Sequence, residues 1–259
     1  MSTMELALST LFCLHKAFEE ALRDIADAGI SNIEIVDAGR HTLDENRVDM
    51  LLDLKTEQGL SYSVHAPFTD TNIAADDPFI REAIIERLRR SMNWASRLDT
   101  QAFVFHPGNS TPAERVSPGL AWANNLRSVE ALMGLAGGLE VHAMIENVPE
   151  PFHYVMKSAE DFGRFFDEYE GDIQMVLDVA HANVRGEIGT FIGIFGNRIG
   201  HVHVSDNQGD ADTHLPIGEG YIDWEKTIQA LRRTGYEGWI TVESYSEIPE
   251  SLRLLRELL

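Results

Sequence analysis

The chemistry-bearing residues of this chain concentrate in one stretch, His201-Val-His203-Val-Ser-Asp206-Asn-Gln-Gly-Asp210-Ala-Asp212-Thr-His214, running on through Gly218-Glu-Gly220 to Asp223-Trp224. His, Val, His, Val and Ser alternate with period two, which reads as a strand. Asp206-Asn207-Gln208-Gly209 are turn formers that end it. Imidazoles and carboxylates gathered at a strand end and its loop suit divalent cations such as zinc or manganese, which take mixed nitrogen and oxygen ligands. By itself the stretch does not decide the matter, since a strand His is often a packed side chain and Asp or Asn after a strand is often an ordinary turn residue.

The theme recurs along the chain. His65, His106, Glu146, Asp178, His203 and Glu243 each follow or close a short apolar run. Those runs are Ser61–His65, Gln101–His106, Val141–Ile145, Ile173–Leu177, Ile199–Val204 and Trp239–Val242. Two more precede them, Leu6–Phe12 and Asn32–Val36, giving eight expected strands.

Helical periodicity lies between the runs. Phe18, Leu22, Ile25 and Ala28 mark a helix stopped by Gly29, and Val48, Leu51, Leu52 and Leu54 one stopped by Gly59. Asp77-Pro78 and Ser117-Pro118 read as capped helix starts, and Ser158-x-x-Asp161 as a capping box. Phe191–Phe195 reads as a short helical segment, Trp224, Ile228 and Leu231 as a helix ending near Gly235, and Leu252 to Leu259 as the last helix.

Regular strand–helix alternation implies parallel strands with right-handed crossovers, and eight units predict an α/β fold of the (β/α)8 TIM-barrel kind, one domain over residues 1–259. An open doubly wound sheet is disfavoured because no glycine-rich phosphate fingerprint follows the first strand. In a barrel the C-terminal strand ends converge on one mouth, where active sites lie. Six metal-competent residues at six consecutive strand ends have no structural necessity and predict a metal-centred site.

Composition narrows the class. The chain has 259 residues, 44% of them hydrophobic, and a formal net charge of −21, with 21 Lys and Arg against 42 Asp and Glu. Such a surface repels phosphate backbones and anionic membranes, and Arg40, Arg115 and Arg185 are too scattered to form a basic face. The lone Cys13 allows no internal disulfide, no apolar run is long enough to span a bilayer, and the N-terminal Met1-Ser-Thr-Met-Glu lacks a signal peptide's pattern. A cytoplasmic protein is expected. Its expected partners are a small-molecule substrate and at most further copies of itself.

Taken in order, the motifs resemble those of the xylose-isomerase-like TIM barrels, which include sugar isomerases, sugar epimerases and endonuclease IV. The resemblance runs through Val64-His65-Ala-Pro67, Phe105-His106-Pro-Gly108, Ile145-Glu146-Asn147, Leu177-Asp178-x-x-His181, His201-x-His203, Asp212-x-His214-x-x-Ile217-Gly-x-Gly220-x-Ile222-Asp223 and Val242-Glu243. For the isomerases and epimerases it implies one divalent metal, often manganese, on Glu146, Asp178, His203 and Glu243. For endonuclease IV it implies three zinc ions on His65, His106, Glu146, Asp178, His181, His203, Asp212, His214 and Glu243. All nine residue types are present. The arginine that ketose epimerases carry after the seventh strand would fall near Gly209, and their second glutamate after the fifth near Phe152; neither type is present there.

The chemistry supports an isomerase independently. A divalent ion on a carbonyl and its neighbouring hydroxyl polarises the carbon–oxygen bond and stabilises the enediolate left by proton loss. Glu146 and Glu243, from the fifth and eighth strands, would take and return that proton from opposite faces while also serving as ligands. His65, His106, His181, Asp212 and His214 are then expected to bind substrate or further metal. His201 shares the parity of His203 one layer deeper and is expected beneath the ligands or in the core. His15, His41, His142 and His153 fit no constellation. The expectation is a metal-dependent isomerase or epimerase of a small sugar, sugar phosphate or polyol, using manganese or zinc, with cobalt or magnesium compatible, and one ion favoured over as many as three. The alternatives are a zinc-dependent nuclease for abasic DNA and a binding barrel without activity.

Overall fold

The computed structural model describes residues 4–259, so the first three residues of the N-terminal reading lie outside the described residues. Eight parallel strands close into a barrel in sequence order. They are β1 (Glu5–Ser9), β2 (Asn32–Val36), β3 (Ser61–His65), β4 (Phe103–Phe105), β5 (Ala143–Glu146), β6 (Gln174–Asp178), β7 (Ile199–Val204) and β8 (Trp239–Val242). The barrel closes where β1 pairs with β8, Leu8 opposite Val242. Among the described residues the helices are α1 (Phe18–Asp27), α2 (Glu45–Gln58), α3 (Pro78–Leu98), α4 (Leu120–Leu139), α5 (Ala159–Glu168), α6 (Val179–Val184), α7 (Ile188–Phe195), α8 (Trp224–Thr234) and α9 (Ile248–Leu258). None is long and apolar enough to cross a membrane.

Strand parity divides the core. Ile33, Ile35, Tyr62, Val64, Phe103, Phe105 and Ile145 belong to the large cluster that joins the strands to the helix layer. The alternate residues Val104, Met144 and Val176, with Ala102, form a small separate cluster inside the barrel. Most inward positions beside it are polar and fully buried: Glu34, Ser63, His201, His203 and Thr241.

Several boundaries differ from the sequence expectation, each for a local reason. β1 stops at Ser9, because Ser9 Oγ accepts from Leu11 N and the chain enters a 3-10 turn over Thr10–Cys13. β4 is shorter than Gln101–His106, although Gln101 N still bonds the Tyr62 carbonyl. β5 begins at Ala143, since Val141 N turns back to the Ala136 carbonyl at the end of α4. The helix expected from Ser117-Pro118 starts at Leu120: the Glu114 carboxylate accepts from Gly119 N and Ala121 N, so it caps in place of Ser117. Asp77 and Ser158 cap α3 and α5 as expected. The short α6 carries no helical signal in the sequence. Asp178 starts it by accepting from His181 N at 2.7 Å, which turns His181 back toward the mouth.

Candidate metal centre

The barrel brings the nine expected residues together at the C-terminal strand ends. Glu146, Asp178, His203 and Glu243 each offer one ligand atom within 4.8 Å of the others. His65, His106 and Glu146 form a second such group, and His181, Asp212 and His214 a third. Glu146 belongs to the first two and sits between them. Its Oε1 lies 3.0 Å from His203 Nδ1, and its Oε2 lies 3.0 Å from His106 Nε2 and 3.3 Å from His65 Nε2. Glu243 is less encumbered, with its Oε2 3.5 Å from His203 Nδ1.

Backbone groups fix this geometry. Asn147 donates to the Asp178 carbonyl at 3.0 Å and accepts from Asp178 N at 2.8 Å, clamping the tips of β5 and β6. The β7–α8 loop hangs on Asp206, which accepts from Gly218 N at 2.9 Å and Trp224 Nε1 at 2.8 Å. An antiparallel bridge between Asp206 and Leu215 completes the strap that carries Asp212 and His214. A side chain at Gly220 would collide with Asp206, so only glycine fits there.

Three histidines are oriented alike. The Nδ1 atoms of His65, His181 and His214 face the carbonyls of Ala66, Asn147 and Glu243 at 2.9, 2.8 and 2.9 Å. A carbonyl only accepts, so each Nδ1 carries hydrogen and each Nε2 is turned into the site. His181 Nε2 and His214 Nε2 both meet Asp212 Oδ2, at 3.2 and 3.1 Å.

The donor set fits a divalent cation. Buried Asp178 Oδ2 and Asp212 Oδ1 have no hydrogen-bond partner, a costly condition that a cation would relieve. Burial, with the carboxylates of Glu146, Asp212 and Glu243, pushes the Asp178 carboxyl up to about 7 despite the opposing His181. Burial alone would lower His181, yet Asp178, Asp212 and Glu146 carry it up to about 10. Burial lowers His106.

These shifts give a signed expectation. Asp178 and His181 hold protons in the folded chain that the unfolded chain releases at about 4 and about 6.5. Their contribution to stability is present below those values and is lost as pH rises through about 7 and about 10. A bound cation takes the place of those protons, so its apparent affinity should climb with proton release as pH rises through about 7 and about 10. Calorimetric titration in buffers of different ionisation enthalpy checks this; a pH-independent affinity would contradict it.

Above these residues lies a cavity of about 340 Å³ walled by Phe68, Phe152, Tyr154 and Tyr245. Phe68 packs edge-on to His65, Tyr154 edge-on to His106, and Tyr245 against His214 at 4.6 Å. Sequence reasoning missed this collar, because loop aromatics carry no periodicity. It also missed Glu34, whose Oε1 lies 2.9 Å from His203 Nε2 and whose Oε2 lies 3.1 Å from His201 Nε2. A Glu between two isoleucines in a strand buried on both faces was the available signal. His201 lies one layer down, as its parity implied, with its Nε2 2.9 Å from Thr241 Oγ1.

With this architecture in place, comparison gives the class. Residues 22–258 match the family described as xylose isomerase-like TIM barrel, and the chain belongs to that family. It is similar over 99% of its length to an uncharacterised protein of Methanocaldococcus jannaschii, at 27% identity and covering 89% of that protein. It is 22% identical to fructoselysine 3-epimerase of Escherichia coli O157:H7, over 87% of this chain and 84% of the enzyme. A crystal structure of a D-tagatose 3-epimerase-like protein superposes with a TM-score of 0.93 at 26% identity, covering 98% of this chain and 97% of the other.

Proposed function

We propose that this protein is a divalent-metal-dependent isomerase or epimerase of a neutral ketose or related polyol. The observation that carries the reading is the buried group Glu146, Asp178, His203 and Glu243 beneath the mouth, with an Asp178 carboxylate oxygen that no hydrogen bond satisfies and that has only the His181 ring at 3.6 Å. The family, and relatives named as 3-epimerases, support it. Manganese or zinc suits this mixed donor set, cobalt and magnesium are compatible, and the two histidine-rich groups would take up to two further ions. When bound, the ion supplies Lewis-acid polarisation of a carbonyl and its neighbouring hydroxyl.

The chain's own residues do the rest. Glu243, held by fewer partners than Glu146, removes the proton from the carbon beside the carbonyl. Glu146 returns a proton, and His65, His106, His181, Asp212 and His214 bind substrate oxygens or further metal. The aromatic collar excludes water and stacks on the substrate's carbon–hydrogen faces. The same proposal takes residues 1–259 as one domain in the cytoplasm, where Cys13, whose thiol burial pushes up to about 12, stays reduced.

The choice of a neutral substrate over a phosphate rests on the lining. No Lys or Arg lines the cavity among the described residues. Lys157 and Arg185 are each committed to Glu150 at 2.7 Å. Phe152 and Tyr245, 57% and 55% exposed, offer ring faces at the rim instead. A phosphate left without a cationic partner forfeits about 3 kcal/mol, or about 100-fold in kcat/KM.

One observation favours the nuclease reading: the nine residues do form three ligand groups, two of which share Glu146. A lining that mixes aromatic rings with carboxylates and has no Lys or Arg, together with the net charge of −21, counts against it. One screen separates the readings, using ketoses, their phosphates and an abasic-site oligonucleotide with manganese, cobalt, magnesium or zinc. The expected result is turnover of free ketoses, about 100-fold weaker turnover of phosphates, and no cleavage at physiological salt. Preference for a phosphate would overturn the neutral-substrate reading, and efficient oligonucleotide cleavage the isomerase itself.

A further inference from the structure

Glu34 has no role in the chemistry above, yet it is a fully buried carboxylate inside the barrel. Ser63 Oγ donates to its Oε2 at 2.9 Å, and His201 Nε2 lies 3.1 Å from the same oxygen. Its other oxygen, Oε1, lies 2.9 Å from His203 Nε2. Those two atoms are at contact distance but off the line a hydrogen bond requires, and neither has another partner. The ring instead makes its aligned bond on the opposite side, from Nδ1 to Glu146 at 3.0 Å.

His203 thereby inverts the pattern of its neighbours. His65, His181 and His214 anchor Nδ1 on a backbone carbonyl and turn Nε2 into the site. His203 turns Nδ1 into the site, toward Glu146 and Glu243, and its outer nitrogen faces a side-chain carboxylate. An imidazole that ligates through Nδ1 must carry its hydrogen on Nε2. The acceptor waiting there is Glu34 Oε1. A carboxylate in that position fixes ring orientation and tautomer, and strengthens the imidazole as a donor to metal.

We propose that Glu34 is a positioning residue that holds His203 in the Nε2–H tautomer, with Nδ1 aimed at the cation shared by Glu146, Asp178 and Glu243. This rests on the metal reading of the site.

The test compares wild type, Glu34→Gln and Asp178→Ala. Zinc and manganese affinities are measured by competition with a chromophoric chelator. The visible spectrum is recorded with cobalt, and ¹⁵N-histidine spectra with zinc. Glu34→Gln keeps the side chain's size, so it tests the charge even where Glu34→Ala fails to fold. The expected result is a 10–100-fold loss of affinity, an altered cobalt spectrum and loss of a strongly shifted His203 Nε2–H signal. Wild-type affinity and an unchanged cobalt spectrum in Glu34→Gln, with metal lost from Asp178→Ala, would overturn the positioning role and leave the metal site intact. Absence of metal binding by wild type would instead overturn both.

Discussion

Asp178→Ala and His203→Ala, purified and dialysed against trace metal, are each expected to lose the ion that the wild type retains. Both residues sit in the four-residue group where β6 and β7 end, and both are fully buried. Their neighbours cannot shift to replace them. Glu146 is held by His203, His106 and His65, and Asn147 clamps the adjoining backbone. Loss of a direct ligand should exceed the roughly 10–100-fold effect typical of groups that act behind one. The measurement is metal content per chain by mass spectrometry, with circular dichroism to establish folding. Wild-type stoichiometry in both folded variants would remove the site as drawn.

Glu243→Gln, saturated with metal, is expected to lose about 10²–10⁴ in turnover, the usual effect of removing a positioned general base. The amide retains an oxygen that can ligate but cannot accept a proton from carbon. If Glu243 were a ligand alone, excess metal would restore the rate. The discriminating readout is exchange of the substrate's carbon-bound proton with heavy water, which should fall with turnover. Near-normal exchange in the metal-saturated variant would leave the base to another residue, with Glu146 the first to examine. The experiment requires a ketose identified by the screen above.

The sequence made the barrel legible because its signals are local and repeated. Eight short apolar runs alternate with capped helical periods, and the last six each end at a polar residue out of keeping with what precedes it. The positions of His65, His106, Glu146, Asp178, His203 and Glu243 followed from their places at the C-terminal ends of consecutive strands. Other features depend on contacts between distant segments. Glu114 capping α4 from outside the expected helix could not be read from Ser117-Pro118. Pairing across the barrel made Glu34 a neighbour of His203, 169 positions along the chain by their numbers. The aromatic collar comes from three separate loops, whose approach is set by the strap on Asp206 and the bridge between Asn109 and Tyr154.

The polar filling of the barrel interior bears on how this sequence can change over generations. Where TIM barrels fill their inner layers with branched hydrocarbon, one aliphatic side chain exchanges for another at small cost. Glu34, Ser63, His201, His203 and Thr241 have no such freedom, because each is another's partner. Losing one member of a buried charged pair typically costs about 3–5 kcal/mol, whereas replacing the whole set with apolar residues can be neutral or stabilising. Single-step drift along the barrel axis is therefore blocked in both directions. Descendants of this chain either inherit the interior as a block or, having crossed the barrier, keep a sturdier barrel without the His203 of the proposed metal site.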